Sequence, residues 1–180
     1  DIGPERLLVR VKDWDEVVFD DMEFRIGKLK LKGALVSRYR HDSGDWDDVV
    51  ELANELIGIM PHYTEPDSPY LALARAHNEL DQRDAALAAL ETFWRGGGYT
   101  PTALKRLANW LTEADRPDTA IEVLQSVNLV DPLDVELHGD LGDRLLAADR
   151  AAEALQEYRV AMALDPHDKA TAWYRLAKAQ

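Results

Sequence analysis

"ADRAAEALQEYRVAMALDP", residues 148–166, sets small alanines at fixed places, follows them with Tyr158, and stops at Asp165-Pro166. A lone amphipathic helix needs only an apolar stripe at 3.6-residue spacing. Here Ala154, Tyr158 and Ala161 stand as if packed against something of fixed shape. A step back of 34 residues from Ala154, Tyr158 and Pro166 lands on Ala120, Leu124 and Pro132, and a second step lands on Ala86 and Leu90. Leu73-Ala74, Leu107-Ala108 and Leu141-Gly142 keep the same step, as do Asp81, Asp115 and Asp149. Self-similarity at a fixed period of this size marks an array of stacked supersecondary units.

Three units are in phase, 67–100, 101–134 and 135–168. In each, a first apolar-periodic stretch ("PYLALARAHNEL", "PTALKRLANWL", "VELHGDLGDRLL") precedes a short polar turn and a second stretch of similar length, which predicts a helical hairpin. Upstream, "GDWDDVVELANELIGIMP" sets Val49, Ala53, Leu56 and Pro61 at the offsets of Ala120, Leu124, Val127 and Pro132. This predicts a fourth hairpin over 30–62, with the loop "PHYTEPDSP" absorbing three extra residues. Downstream, "ATAWYRLAKAQ" restores Trp173, Leu176 and Ala177, displaced by one residue, and predicts a terminal helix over 170–180. Trp173, Leu176 and Ala179 are expected to cover the apolar edge of hairpin 135–168, either as a cap or as the first half of a further repeat. Residues 1–29 form a separate N-terminal segment. "DWDEVV" at 13–18 echoes "DWDDVV" at 45–50, which favours a degenerate hairpin whose second helix starts near Trp14; the rival reading takes "MEFRIGKLKLKG" as strand-like.

This pattern resembles the tetratricopeptide repeat (TPR), a 34-residue helix-turn-helix with W-x2-L-G-x2-Y, then A-x3-F, then P. The third unit supplies Leu141, Gly142, Leu145, Ala154, Tyr158, Ala161 and Pro166, with His138 where an aromatic is usual. The resemblance spans 30–180 and implies an all-α fold, a right-handed superhelical solenoid of TPR hairpins. Small residues at Ala74, Ala108 and Gly142 then let the helices of a hairpin approach, and Ala86, Ala120 and Ala154 are crossed by the facing helix. Proline ends each second helix because it cannot continue one and restricts the residue before it.

Composition narrows the function classes. The 34 acidic and 21 basic residues give a formal charge of −13, a field that repels phosphate backbones and anionic membranes. Neither a nucleic-acid partner nor membrane insertion is expected, since no apolar run reaches the roughly 20 residues that span a bilayer. The chain has no cysteine, so disulfides and thiolate metal sites are excluded and the compartment stays open between cytoplasm and periplasm, with the cytoplasm favoured. The opening "DIGPERLLVR" lacks the apolar core of a signal peptide, and a start without Met suggests a piece of something larger. His41, His62, His77, His138 and His167 stand in no metal-ligand spacing, and none of the four serines sits in G-x-S-x-G. "RGGGYTP" at 95–101 has no Lys-Ser/Thr to serve as a phosphate loop and reads as an inter-repeat turn. Trp46, Trp94 and Trp110 fall among apolar neighbours and read as packing. No metal, cofactor or catalytic residue is expected.

What remains is a surface. The resemblance implies that first helices line a concave groove that binds an extended peptide or partner helix, making the chain a non-catalytic protein–protein interaction module, scaffold or adaptor. A rival reading makes it the accessory region of an enzyme whose catalytic domain lies outside it, and a third allows self-association through uncovered terminal hairpins. The candidate groove residues are Arg75, Lys105, Arg106, Asn109, Glu136, Asp140, Asp143 and Arg175, with cations toward the first units and acids on 135–168. Some TPR proteins clamp a peptide carboxylate. Lys105 and Asn109 match the first pair of that clamp and Arg175 its last Arg, but Asp140 replaces the middle Asn and Thr171 the second Lys. Asp140 and Asp143 would repel a carboxylate, so a mixed-charge solvated groove is the expectation.

Overall fold

The computed structural model describes residues 7–9, 17–19 and 46–180. Eight helices run through the described residues: α1 Trp46–Ile59, α2 Pro69–Glu79, α3 Arg83–Arg95, α4 Pro101–Glu113, α5 Pro117–Val130, α6 Val135–Ala147, α7 Ala151–Ala163 and α8 Lys169–Lys178. Their starts follow local chemistry. Pro69, Pro101 and Pro117 occupy the first turn, where a missing N–H costs nothing. Ser68, Asp134 and Asp168 cap α2, α6 and α8 by accepting from the backbone N–H of Tyr70, Leu137 and Thr171.

The hairpin turns share one device. Asp81, Asp115 and Asp149 adopt left-handed backbone, with φ of 59°, 57° and 60°. The next residue then donates back five positions, Gln82 to His77, Arg116 to Leu111 and Arg150 to Leu145, at 2.8, 2.8 and 2.9 Å. This closes the preceding helix in a Schellman-type cap, with aspartate in the place glycine usually takes. Asp165, φ 59°, ends α7 with the same left-handed backbone, but the following Pro166 has no N–H to donate back. The glycine run closes α3 as a built turn: Gly97 sits at φ 93° and Gly98 donates to the Phe93 carbonyl at 2.9 Å, its α-carbon against the Phe93 ring where no Cβ fits.

The chain divides into two compact units, Asp1–Tyr63 with Asp67–Ala86, and Thr64–Pro66 with Leu87–Gln180. In the first, α1 packs on α2 around Val49, Leu56 and Ala76, flanked by Trp46, Val50, Leu52 and Ala72. In the second, α4 pairs with α5 and α6 with α7, α5 rests on α6, and α8 lies against both α6 and α7. The core repeats its register: Leu107 and Leu141, Ala108 and Gly142, Ala120 and Ala154, Leu124 and Tyr158 are all buried. A Cβ added at Gly142 would collide with the Tyr158 ring.

Two expectations need correction. Residues 17–19, placed in a helix starting near Trp14, form strand β2 (Val17–Phe19), paired antiparallel with β1 (Leu7–Val9) in the register Leu7↔Phe19 and Val9↔Val17. The echoed hexapeptides part company because 46–59 continues with "ELANELIGI", which keeps a helical apolar period, whereas Val17, Val18 and Phe19 run straight into Asp20-Asp21 and carry the branched and aromatic side chains that favour a pleated pair. The strand-like stretch 22–33 and the first helix of 30–62 lie outside the described residues. In α8, Trp173 does not cover the neighbouring hairpin, being 60% exposed; Ala172 and Ala179 are the buried residues, with Leu176 partly so. The helix itself keeps the 34-residue step, Lys169 following Val135, and its aromatics, displaced by one residue within it, face outward.

Ala154 is fully buried and Ala147, at the end of α6, is exposed. Ala154→Leu is expected to overpack the α6–α7 hairpin and lower unfolding free energy by about 1–3 kcal/mol, with Ala147→Leu near zero. Urea denaturation of the two variants checks this, and equal effects would place the register wrongly.

Candidate functional site

The first helices of the second unit, α4, α6 and α8, are tied by polar side chains. Lys105 of α4 pairs with Asp134, the residue capping α6. From α6, Arg144 donates to Asn109 and Thr112 of α4. From α8, Arg175 donates to Asp143 of α6 at 2.6 Å, and the Tyr158 hydroxyl donates to the other oxygen of Asp143 at 2.8 Å. The Arg144 and Arg175 bonds each cross from one first helix to its neighbour, whereas the Tyr158 bond stays within its own hairpin. Burial works against the Asp134 carboxylate, but the Lys105 ammonium and the Leu137 N–H outweigh it and hold its carboxyl below the usual range. Burial and the Asp143 carboxylate both push the Tyr158 hydroxyl upward, so it remains a donor.

Five of the eight predicted groove residues are therefore held in place or engaged: Lys105 with Asp134, Asn109 with Arg144, Asp143 with Arg175, and Arg75 in the first unit, where its guanidinium stands 5.5 Å over the Trp46 ring. Arg106, Glu136 and Asp140 are exposed, and their side chains make no hydrogen bond or ion pair among the described residues. Arg106 and Asp140 hold the same repeat position on α4 and α6, with opposite charge. Desolvation within the groove raises the Asp140 carboxyl, opposed by Arg144 and Arg175. The carboxylate-clamp pattern does not assemble: its Lys105 and Arg175 already hold acids of this chain, and Thr171 is bonded to Asp168.

Sequence reasoning missed Asp134, Arg144 and the pair Glu91–Arg116. The capping position of Asp134, just before an apolar period, was a readable signal. Nothing in the spacing of Arg144 announces that it reaches across to α4. His138 stands where an aromatic was expected and is buried, with Nδ1 2.6 Å from Glu157 and Nε2 2.9 Å from the Pro132 carbonyl, so it ties α6 to α7 and to the preceding loop. Trp94 donates to Ser126 of α5 at 3.0 Å and Trp110 is buried, which makes both packing residues. Among the described residues no cluster of His, Asp or Glu could hold a metal ion, and no helix is long and apolar enough to cross a membrane.

No protein-family model matches the sequence, and no curated protein matches it. Solved structures do. YrrB, a TPR protein with an unusual peptide-binding site, superposes with a TM-score of 0.61 at 17% identity over 82% of this chain and 72% of its own. This chain has the tetratricopeptide-repeat fold. MamA from Desulfovibrio magneticus RS-1 gives 0.57 at 18% identity over 84% and 93%. The nearly identical TPR-like repeats of a Podosopora anserina kinesin light chain give 0.53 at 18% identity over 84% and 85%. Identities this low carry the TPR architecture and leave the ligand to be argued from this chain's own side chains.

Glu91 of α3 accepts a two-pronged bond from Arg116 at 2.9 and 2.9 Å and further bonds from Arg95. Arg116, opposed by desolvation and helped by Arg95, holds the Glu91 carboxyl down from 4.5 to about 2. A carboxyl depressed in the folded state contributes stability that is complete above its unfolded value and is lost as pH falls through the folded one. The parent should therefore lose more stability than Glu91→Gln between pH 4.5 and about 2, as read from thermal melts across that window. Parallel losses would show that the pair is not formed in solution.

Proposed function

We propose that this chain is a non-catalytic protein–protein interaction module that binds an extended peptide or a partner helix across the first-helix face of its repeats. The observation that carries the reading is the division of labour among the groove charges. Lys105, Asp134, Asn109, Arg144, Asp143 and Arg175 are spent on one another and lock α4, α6 and α8 in a fixed relation. Arg106, Glu136 and Asp140 are left exposed on that rigid face. A preorganised surface loses little conformational freedom on binding, which favours recognition of a flexible segment. The peptide-binding site described for YrrB supports the same use of this fold here.

Arg106 and Asp140, opposite in sign and one repeat apart, give the face a polarity. A bound segment would set an acid toward Arg106 and a base toward Asp140, and such complementarity governs orientation and on-rate more than affinity. Lys105 is the poorer probe because its reversal would also break the tie to Asp134. With a partner captured by pull-down and identified by mass spectrometry, Arg106→Glu and Asp140→Lys are each expected to slow association several-fold at low salt, the loss shrinking as salt is raised. Parent-like kinetics for both variants in surface plasmon resonance would move the binding surface elsewhere on the molecule.

A further inference from the structure

The second unit contains a cleft of about 520 Å³ between α6 and α8, with α7 as its floor. Tyr158, Ala161 and Ala172 give it an apolar base, and Glu136 and Asp168 stand at its rim. The repeat explains why it is open. One repeat earlier, the capping acid of the next first helix, Asp134, receives the ammonium of Lys105. Thirty-four residues on, the capping acid is Asp168, which plays the same role toward Thr171 N–H that Asp134 plays toward Leu137 N–H. The residue corresponding to Lys105 is Gly139. Glycine has no side chain to send across, and the Arg175 guanidinium that lies over Gly139 turns to Asp143 instead. Asp168 thus keeps its Thr171 bonds, which together with the more distant charge of Arg175 hold its carboxyl below the usual range, and no cation is hydrogen-bonded to it or ion-paired with it.

We infer that this cleft is a subsite for a lysine side chain of a bound peptide, whose ammonium pairs with Asp168 and Glu136 and whose methylenes lie on Tyr158, Ala161 and Ala172. The ligand supplies from outside the ammonium that Lys105 supplies from within at the preceding repeat. Of the other charged groups lining the cleft, Asp134 is held by Lys105, Asp165 pairs with Lys169 at 2.8 Å, and Arg175, whose charge is also felt at Asp168, is hydrogen-bonded to Asp143; His167 lines the cleft as well. An ammonium suits the site better than a guanidinium, because it is compact and directs donors to acids on different sides. The inference rests on the proposed peptide-binding role and names one residue of the peptide.

The test uses the whole chain and a blocked pentapeptide with one lysine among four alanines, titrated by backbone amide NMR, alongside the same peptide with the lysine Nε-acetylated. Saturable shifts centred on Tyr158, Thr171 and Ala172 are expected with the lysine peptide and none with the acetylated one. Asp168→Ser, which keeps a capping oxygen, and Glu136→Gln, on an exposed side chain, are each expected to weaken binding by up to about fivefold, the scale of one exposed ion pair. Shifts scattered over the acidic surface, equal response to the acetylated peptide, or parent-like affinity in both variants would overturn the assignment. The groove reading is judged separately on Arg106 and Asp140, neither of which lines the cleft, so the two can fail independently.

Discussion

Within the α6–α7 hairpin, the Tyr158 ring lies directly on the backbone of α6 at Gly142. Tyr158 is 1% exposed, and its ring fills the space where any other residue at 142 would place a Cβ. That contact sets the separation of α6 and α7, and the separation decides which side chains meet. At this distance the Tyr158 hydroxyl reaches Asp143, and Asp143 in turn is oriented to receive Arg175 from α8. A packing constraint inside one hairpin thereby becomes a polar tie to the next helix. Ala108 and Leu124 hold the corresponding positions in the α4–α5 hairpin, where both are buried.

Two kinds of interaction share the work of a repeat fold. Apolar burial within hairpins supplies the stabilisation, at roughly 25 cal/mol per Å² of apolar surface removed from water. Polar ties between first helices contribute less individually, since partly exposed ion pairs are worth about 0.2–1 kcal/mol. Their effect is on placement. By consuming one another's charge, they leave a small set of exposed residues, Arg106, Glu136 and Asp140, at fixed positions on the face. Where a tie is missing, as at Gly139, the fold leaves a cleft with an acid at its edge.

The parts legible in the sequence were those governed by strict local stereochemistry. A left-handed aspartate at Asp81, Asp115 and Asp149 and a small residue at Ala74, Ala108 and Gly142 recur at a fixed step because few residue types satisfy either demand. The N-terminal segment was misread because "DWDEVV" has no period long enough to separate helix from strand, and the pairing of Val17–Phe19 is decided by a partner ten residues away. The candidate groove lies between these cases. That Lys105, Asn109, Asp143 and Arg175 sit on first helices followed from register, but their mutual engagement did not. It depends on how far a long side chain reaches between helices, a distance that neither composition nor spacing encodes.

The ring-over-glycine contact is tested most directly by a double-mutant cycle at Gly142 and Tyr158 followed by equilibrium denaturation. Alanine is the better helix former by about 0.5–1 kcal/mol, so Gly142→Ala in a helix interior stabilises unless something occupies the space of the new methyl. With Tyr158 present, Gly142→Ala is predicted to destabilise the protein; in the Tyr158→Ala background, with the ring gone, the same substitution is predicted to stabilise it. A stabilising effect of Gly142→Ala in both backgrounds would contradict the contact, and with it the helix separation from which the polar ties and the cleft follow.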